Sequence, residues 1–341
     1  MILIRPLVAL IAFFLNGNTI HAAFALNAFA GALCVFLVWC FIKHYVINNL
    51  YSLFIATLFG ASTAQLVFSS LIETYIFLAA VALLFIVFLI KDKPLFVLVI
   101  TGLIAFGITV SNFAQTVIVH FFIKRDIKQL IKYGVIVIAL IVPLTLLNNL
   151  IYPNSQPYFW NLSSFDGEGH NSFPPTLQRA NYLGRVMMLH SIVAPQPLIL
   201  QEEIPFLKVW MFRAAIKKDP MRLANYETLL GDLLAYAWIG FILLGGFLFL
   251  KNFHKQDNRF FLTFIMILLF NFFLHMRYGK DVFLYSVNWT YALILFLALA
   301  WQSLADKRWF QIALLTFVSF LLINNSQLIF TMLRTSALHI K

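Results

Sequence analysis

The chain is short of charge, of acid and of cysteine. Only 11% of its 341 residues are charged, against 62% hydrophobic, and the mean hydropathy is +0.89. This excludes a soluble domain, which could not hide so much apolar surface, so most of the chain must be solvated by lipid. Acids are scarcer than bases, 13 against 24, for a formal net charge of +11. In a membrane protein such an excess sits in cytoplasmic links, and it does not imply nucleic acid. The two cysteines, Cys34 and Cys40, fall in one apolar run and point to different sides of a helix. They carry no disulfide or metal signal. The opening Met1-Ile2-Leu3-Ile4-Arg5-Pro6 lacks a basic stretch followed by a cleavage site, so it does not read as a signal peptide. No internal repeat and no low-complexity tract is visible.

What is present is a series of apolar runs. Residues 7–15 are too short for a full crossing, and Asn16-Gly17-Asn18-Thr19 ends them. Runs at 22–42, 51–70, 75–90, 134–151, 234–250, 260–275, 283–301 and 309–330 have the length of spans. Residues 95–123 are too long for one helix and short for two, and Gly107 with Ser111-Asn112 predicts a hairpin of short helices. The expected fold is all-α and polytopic, with about 9–11 spans. It divides into N-terminal spans (1–151), one large outer segment (152–233) and C-terminal spans (234–341).

Charge sets the expected orientation. With Lys43 inside and the spans alternating, Lys91, Lys93, Lys124, Arg125, Lys128, Lys132, Lys251, Lys255, Arg259, Lys307 and Arg308 all fall inside. Glu73, segment 152–233 and the turn 276–281 then share the outer face. That turn is the one basic short turn outside, with Arg277 and Lys280 beside Asp281. A lipid phosphate or pyrophosphate would favour cations there. The plainer reading is headgroup contact by snorkelling side chains. Just after it, Tyr285, Ser286, Asn288 and Trp289 put polar groups into a span, where such groups face protein or a water-filled cavity.

Other candidates are each weighed against a plainer role. Glu73, at an outer helix junction, is a candidate catalytic acid, or else an acid that complements a helix dipole. Asp166, Glu168 and His170, spaced by glycines, could converge on a divalent cation, with Asp166 a second candidate catalytic acid. They match no metal motif of fixed geometry, and a solvated polar loop is the simpler account. Residues 175–192 and 204–218 read as amphipathic helices. Leu183, Val186, Met187 and His190 share a face of the first, while Trp210 lies on the apolar face of the second. Such helices lie in the membrane interface. Alternatively Arg179, Arg185 and Arg213 hold an anionic headgroup. Asp219-Pro220 reads as a helix start. Asn161-Leu162-Ser163 fits a glycosylation sequon, a pattern common by chance.

Three stretches resemble the C-type glycosyltransferase superfold, the polytopic enzymes that use polyprenyl-phosphate sugars. Residues 22–90 look like its early spans, through Leu26-Asn27, Leu58-Phe59-Gly60-Ala61-Ser62 and the Ser69 to Tyr75 junction. Residues 95–122 look like its short helical hairpin. Tyr278-Gly279-Lys280-Asp281-Val282-Phe283-Leu284-Tyr285-Ser286 resembles a late outer turn of bacterial members. The resemblance implies a transferase in the bacterial inner membrane, with segment 152–233 on the outer face and a polyprenyl-phosphate-linked sugar and membrane lipid as partners. It also implies a departure. The family's catalytic acid lies in the first outer loop, whereas here the first outer turn, Asn16 to His21, holds none. Either the chain starts late, or the acid is elsewhere, or no sugar is moved. Glu73 matches only a junction where relatives often hold an acid.

Two other functions stay open at this level. An envelope polysaccharide polymerase or ligase would lean on Arg179, Arg185 and His190. A transporter or flippase would need interior charges and broken helices, and few ionisable residues lie mid-span.

Overall fold

The computed structural model describes residues 3–153, 169, 172–195, 198–200, 208–210, 225–254, 257–279 and 281–339, with backbone alone at 198–200, 208–210 and 335–339. Among these the chain is a helical bundle. Its first half comprises α1 (Ile4–Phe14), α2 (Thr19–Tyr45), α3 (Asn49–Ala61), α4 (Thr63–Ser69), α5 (Tyr75–Ile90), α6 (Leu95–Ile108), α7 (Val110–Lys124) and α8 (Ile127–Ile151). After a short helix α9 (Leu177–Arg185) come α10 (Leu229–Asn252), α11 (Asn258–Arg277), α12 (Val287–Ala300) and α13 (Arg308–His339).

Six helices, α2, α8, α10, α11, α12 with its 3-10 extension, and α13, are long and apolar enough to cross a membrane. Counting α3 and α4 as one bent span makes seven. α1, α5 and α6 are equally apolar but shorter, which is why fewer helices reach full crossing length than the number of apolar runs predicts. The run 95–123 folds as two helices that meet at Thr109, in extended conformation.

Side chains at the helix entries satisfy the first free N–H groups. Asn18, Asn48, Ser62, Asp126, Thr228 and Asp257 each accept a backbone N–H of the helix that follows. α12 is the central helix, with every residue buried except Phe296. α8 is peripheral and shows Ile127, Ile131, Val135 and Ile138 outward, as a lipid-facing stripe does. Inside the bundle Gln115 bonds Asn112 and Asn271, and the Tyr291 hydroxyl donates to Gln115 at 2.7 Å. This uncharged network ties α7, α11 and α12 together.

The basic links gather at one end. There Asn48 donates to Asp306 at 2.7 Å, Gln302 to the Tyr45 carbonyl at 3.1 Å, and Lys124 pairs with Asp92. The opposite end carries the 70–74 link, residues 172–195 and the α11–α12 connection, which touch one another as described below.

Two features of the 152–233 segment differ from expectation. Residues 208–210, expected within a helix over 204–218, form strand β2 (Lys208–Trp210), antiparallel to β1 (Leu198–Leu200) with Ile199 opposite Val209. Val and Trp favour extended backbone once a partner strand is in reach, and the ladder then replaces intrahelical bonds. α9 continues into a π-helical turn, Val186–His190, closed by Ser191 N–H on the Val186 carbonyl at 3.0 Å. Beyond it, residues 191–195 are buried in the bundle. Their path is set by the 63° break between α3 and α4, where Thr63 and Ala64 donate N–H groups to the Ile192 and Ser191 carbonyls. From α13, Asn325 donates to the carbonyls of Ala61 and Ile192, both at 2.7 Å, and accepts from Ala194 N–H at 2.8 Å. The expected helix start at Asp219-Pro220 lies outside the described residues. α10 begins at Leu229, capped by Thr228.

Candidate functional site

The end opposite the basic links holds a continuous cluster built from four parts of the chain. The first is the 70–74 link. Asn27 of α2 donates its amide to the carbonyls of Leu71 and Glu73, the latter at 3.0 Å, and so staples the link to the bundle. Glu73 is half-buried. Burial raises its carboxyl above the usual range, partly opposed by the Thr74 N–H.

The second part is a row of rings. Tyr75, at the start of α5, meets Tyr285 edge-on with centroids 5.2 Å apart. Tyr285 stacks on His275 at 4.4 Å and lies 6.2 Å from Tyr278. His275 packs edge-on to Trp289 at 5.5 Å. Gly279 permits this row. Its φ is +94°, and a Cβ there would come within 2.6 Å of the Tyr285 ring.

The third part is Arg179 of α9, which is fully buried. Its guanidinium makes five hydrogen bonds to the carbonyls of His275, Met276, Tyr278 and Gly279, at 2.6–3.1 Å. The His275 and Met276 carbonyls belong to the last turn of α11 and those of Tyr278 and Gly279 follow it, at the negative end of a helix dipole, which favours a cation. The Phe173 ring lies 4.2 Å from the guanidinium carbon, and Phe173 N–H donates to the Arg277 carbonyl at 2.8 Å. Burial pulls the guanidinium below its ordinary pKa.

The fourth part is Asp281, which caps a 3-10 turn (Val282–Tyr285) by accepting from Phe283 N–H at 3.1 Å. Burial pushes its carboxyl up to about 7, against the pull of the Phe283 and Leu284 N–H groups.

Of the residues singled out from sequence, then, Glu73, Arg179, Arg277 and Asp281 share one end of the bundle. Arg277 is exposed there. Arg179 clamps a helix end and Asp281 caps a turn, structural roles that sequence did not assign. Arg185 stands apart. Its guanidinium donates to Asn225 at 3.2 Å, and its charge reaches His190, which stacks on Tyr226 at 5.4 Å. Burial, then that charge, holds the His190 imidazole down at about 3. Asp166, Glu168, His170, Arg213 and Lys280 lie outside the described residues. Among the described residues no three His, Cys, Asp or Glu side chains are grouped to hold a metal. Sequence reasoning missed the linking roles of His275 and Asn27. A polar residue in an apolar run is the signal that marks both.

Beside the cluster an apolar groove of about 620 Å³ runs between α1, α2, α5, α6 and α8. Leu26, Phe29, Phe77, Leu84, Ile104 and Ile141 line it, with Thr145 and Asn148 among its few polar walls. Leu26 adjoins Asn27, and Phe77 lies in the first turn of α5, which follows directly on the 70–74 link, so the groove begins beside that link. No family model, curated protein or solved structure matches the chain.

Proposed function

We propose that this multi-pass membrane protein transfers a sugar from a polyprenyl-phosphate donor at the outer face of a bacterial inner membrane. The observation that carries this reading is the apolar groove that begins beside the link holding a half-buried carboxylate, Glu73. The groove suits an isoprenoid tail, and its size is that of an ordinary ligand site. The gathering of basic links at the far end of the bundle supports placing the Glu73 end outside.

In the proposed step an acceptor hydroxyl attacks the anomeric carbon as the carbon–oxygen bond to the donor phosphate breaks. The hydroxyl proton passes to Glu73, which burial makes a stronger base than an exposed carboxylate. The lipid phosphate leaves with the bonding pair, its charge stabilised by Arg277 and Lys280. Arg179 and His190 are committed to buried structural contacts, which favours this acid-dependent reading over a polymerase that depends on Arg and His.

The test is transfer from a synthetic polyprenyl-phosphate sugar in proteoliposomes. Glu73→Gln should slow it by about a hundredfold or more. Arg277→Ala and Lys280→Ala should each slow it at least about tenfold, with normal insertion. Unchanged transfer in all three overturns the assignment.

A further inference from the structure

The apolar groove is not uniform along its length. α2 ends at Tyr45, beside the basic links, and α8 starts at Ile127, two residues past Arg125. Their other ends, at Thr19 and Ile151, therefore lie at the Glu73 end of the bundle. Midway along the helices the groove walls are Leu33, Leu84, Ile100 and Ile141, all apolar. Its polar walls, Thr145 and Asn148, stand on the last two turns of α8. Among the described lining residues, polarity thus rises towards the Glu73 end.

A second recess, of about 400 Å³, adjoins the groove, and Ile4 of α1 lines both. Arg5, Thr19 and Tyr152 are among its walls. The Arg5 guanidinium carbon lies 4.8 Å from the centre of the Tyr152 ring, and Tyr152 N–H donates to the Asn148 carbonyl at 2.8 Å. Arg5 therefore adjoins a groove residue along α1 and, through the Tyr152 ring, stands one helical turn from another on α8. It is exposed, and among the described residues no carboxylate pairs with it. A ring under the guanidinium steadies it without using its N–H edge, which a phosphate takes in bidentate fashion. An arginine that merely snorkels to the headgroups needs neither ring nor recess. Hydrocarbon walls that lead to a cation match a long apolar chain with an anionic head.

We propose that Arg5 binds the phosphate of the lipid whose chain fills the groove, so that α1, α2 and α8 form the headgroup end of a polyprenyl-phosphate site. The isoprenoid identity of the chain rests on the sugar-transfer reading. The phosphate contact rests on the groove, the recess and Arg5. Arg5 is a binding residue and takes no part in proton transfer.

The experiment is thermal unfolding of the purified full chain in phosphatidylcholine nanodiscs, titrated with a polyprenyl phosphate that carries no sugar. A ligand that binds only the folded chain raises the melting temperature saturably. The matching polyprenol, which has the chain without the phosphate, should bind about tenfold more weakly. Arg5→Gln should remove that difference and leave polyprenol binding unchanged, whereas Arg5→Lys should keep part of it. Arg5 is exposed, so these variants should fold as the native chain does. The proposal is overturned if phosphate and alcohol bind equally, or if Arg5→Gln binds the phosphate as the native chain does. Stabilisation by phosphatidylglycerol in the nanodisc, with none by the polyprenyl phosphate, overturns it too. Transfer measured on the same proteins separates the two readings. Weaker phosphate binding by Arg5→Gln with no transfer by any chain leaves the site standing without the transfer reading. Equal binding and equal transfer by both chains does the reverse.

Discussion

Asp281 shows how a residue picked out for one reason serves another. Its place in a basic outer turn suggests a ligand-binding role, but in the fold it caps the 3-10 turn that starts the α12 segment. Burial raises its carboxyl to about 7, above the ordinary carboxylate value. The folded state therefore binds the proton more tightly than the unfolded one, and stability falls as pH rises from about 4 through 7. Melting temperature should drop over that window. Asp281→Asn, which keeps the cap oxygen, should flatten the drop and gain on the order of 1–2 kcal/mol at pH 8. An unchanged pH profile in the variant would show that another group titrates. At Gly279 the constraint is steric. Gly279→Ala places a Cβ 2.6 Å from the Tyr285 ring at positive φ, and should cost about 1–3 kcal/mol in thermal unfolding.

At the scale of elements, the break between α3 and α4 matters most. A span bent by 63° frees backbone groups, which are costly to leave unpaired in lipid. The fold satisfies them with residues 191 and 192, and Asn325 of α13 secures the junction with three hydrogen bonds. Asn325→Leu keeps the volume but takes the side-chain partner from the Ala194 N–H and the Ala61 carbonyl, while the Ile192 carbonyl keeps Thr63, so it should cost several kcal/mol, about 1–3 for each group left unpaired. Limited proteolysis should then cut between residues 190 and 230 faster than in the native chain. An unchanged cleavage rate would mean that the junction is held by other contacts.

For the whole molecule, the groove and the ring cluster both adjoin the 70–74 link, the groove through Phe77 and the rings through Tyr75. Gly107 lines the groove and a Cβ there meets nothing within 4 Å. Gly107→Leu should therefore narrow the groove without a clash. It should also stabilise α6 by up to about 1 kcal/mol. Under the proposed function it should raise KM for a long-chain donor about tenfold and leave a short-chain donor almost unaffected. Equal effects on both donors would place the tail elsewhere.

The sequence by itself determined the solvent, the helical class and the positions of the links, because lipid demands long apolar runs and internally bonded backbone. Periodicity also placed Leu183, Val186, Met187 and His190 on one face of a helix, and all four are buried. What it could not show is which polar residues meet. Asn27 finds Glu73 across 46 residues, Arg179 finds the end of α11 nearly a hundred residues on, and Asn325 closes a break at residue 62. Each pairing depends on how helices pack side by side. In an apolar bundle many packings satisfy the same hydropathy pattern, and only the tertiary arrangement decides which few polar groups are buried together.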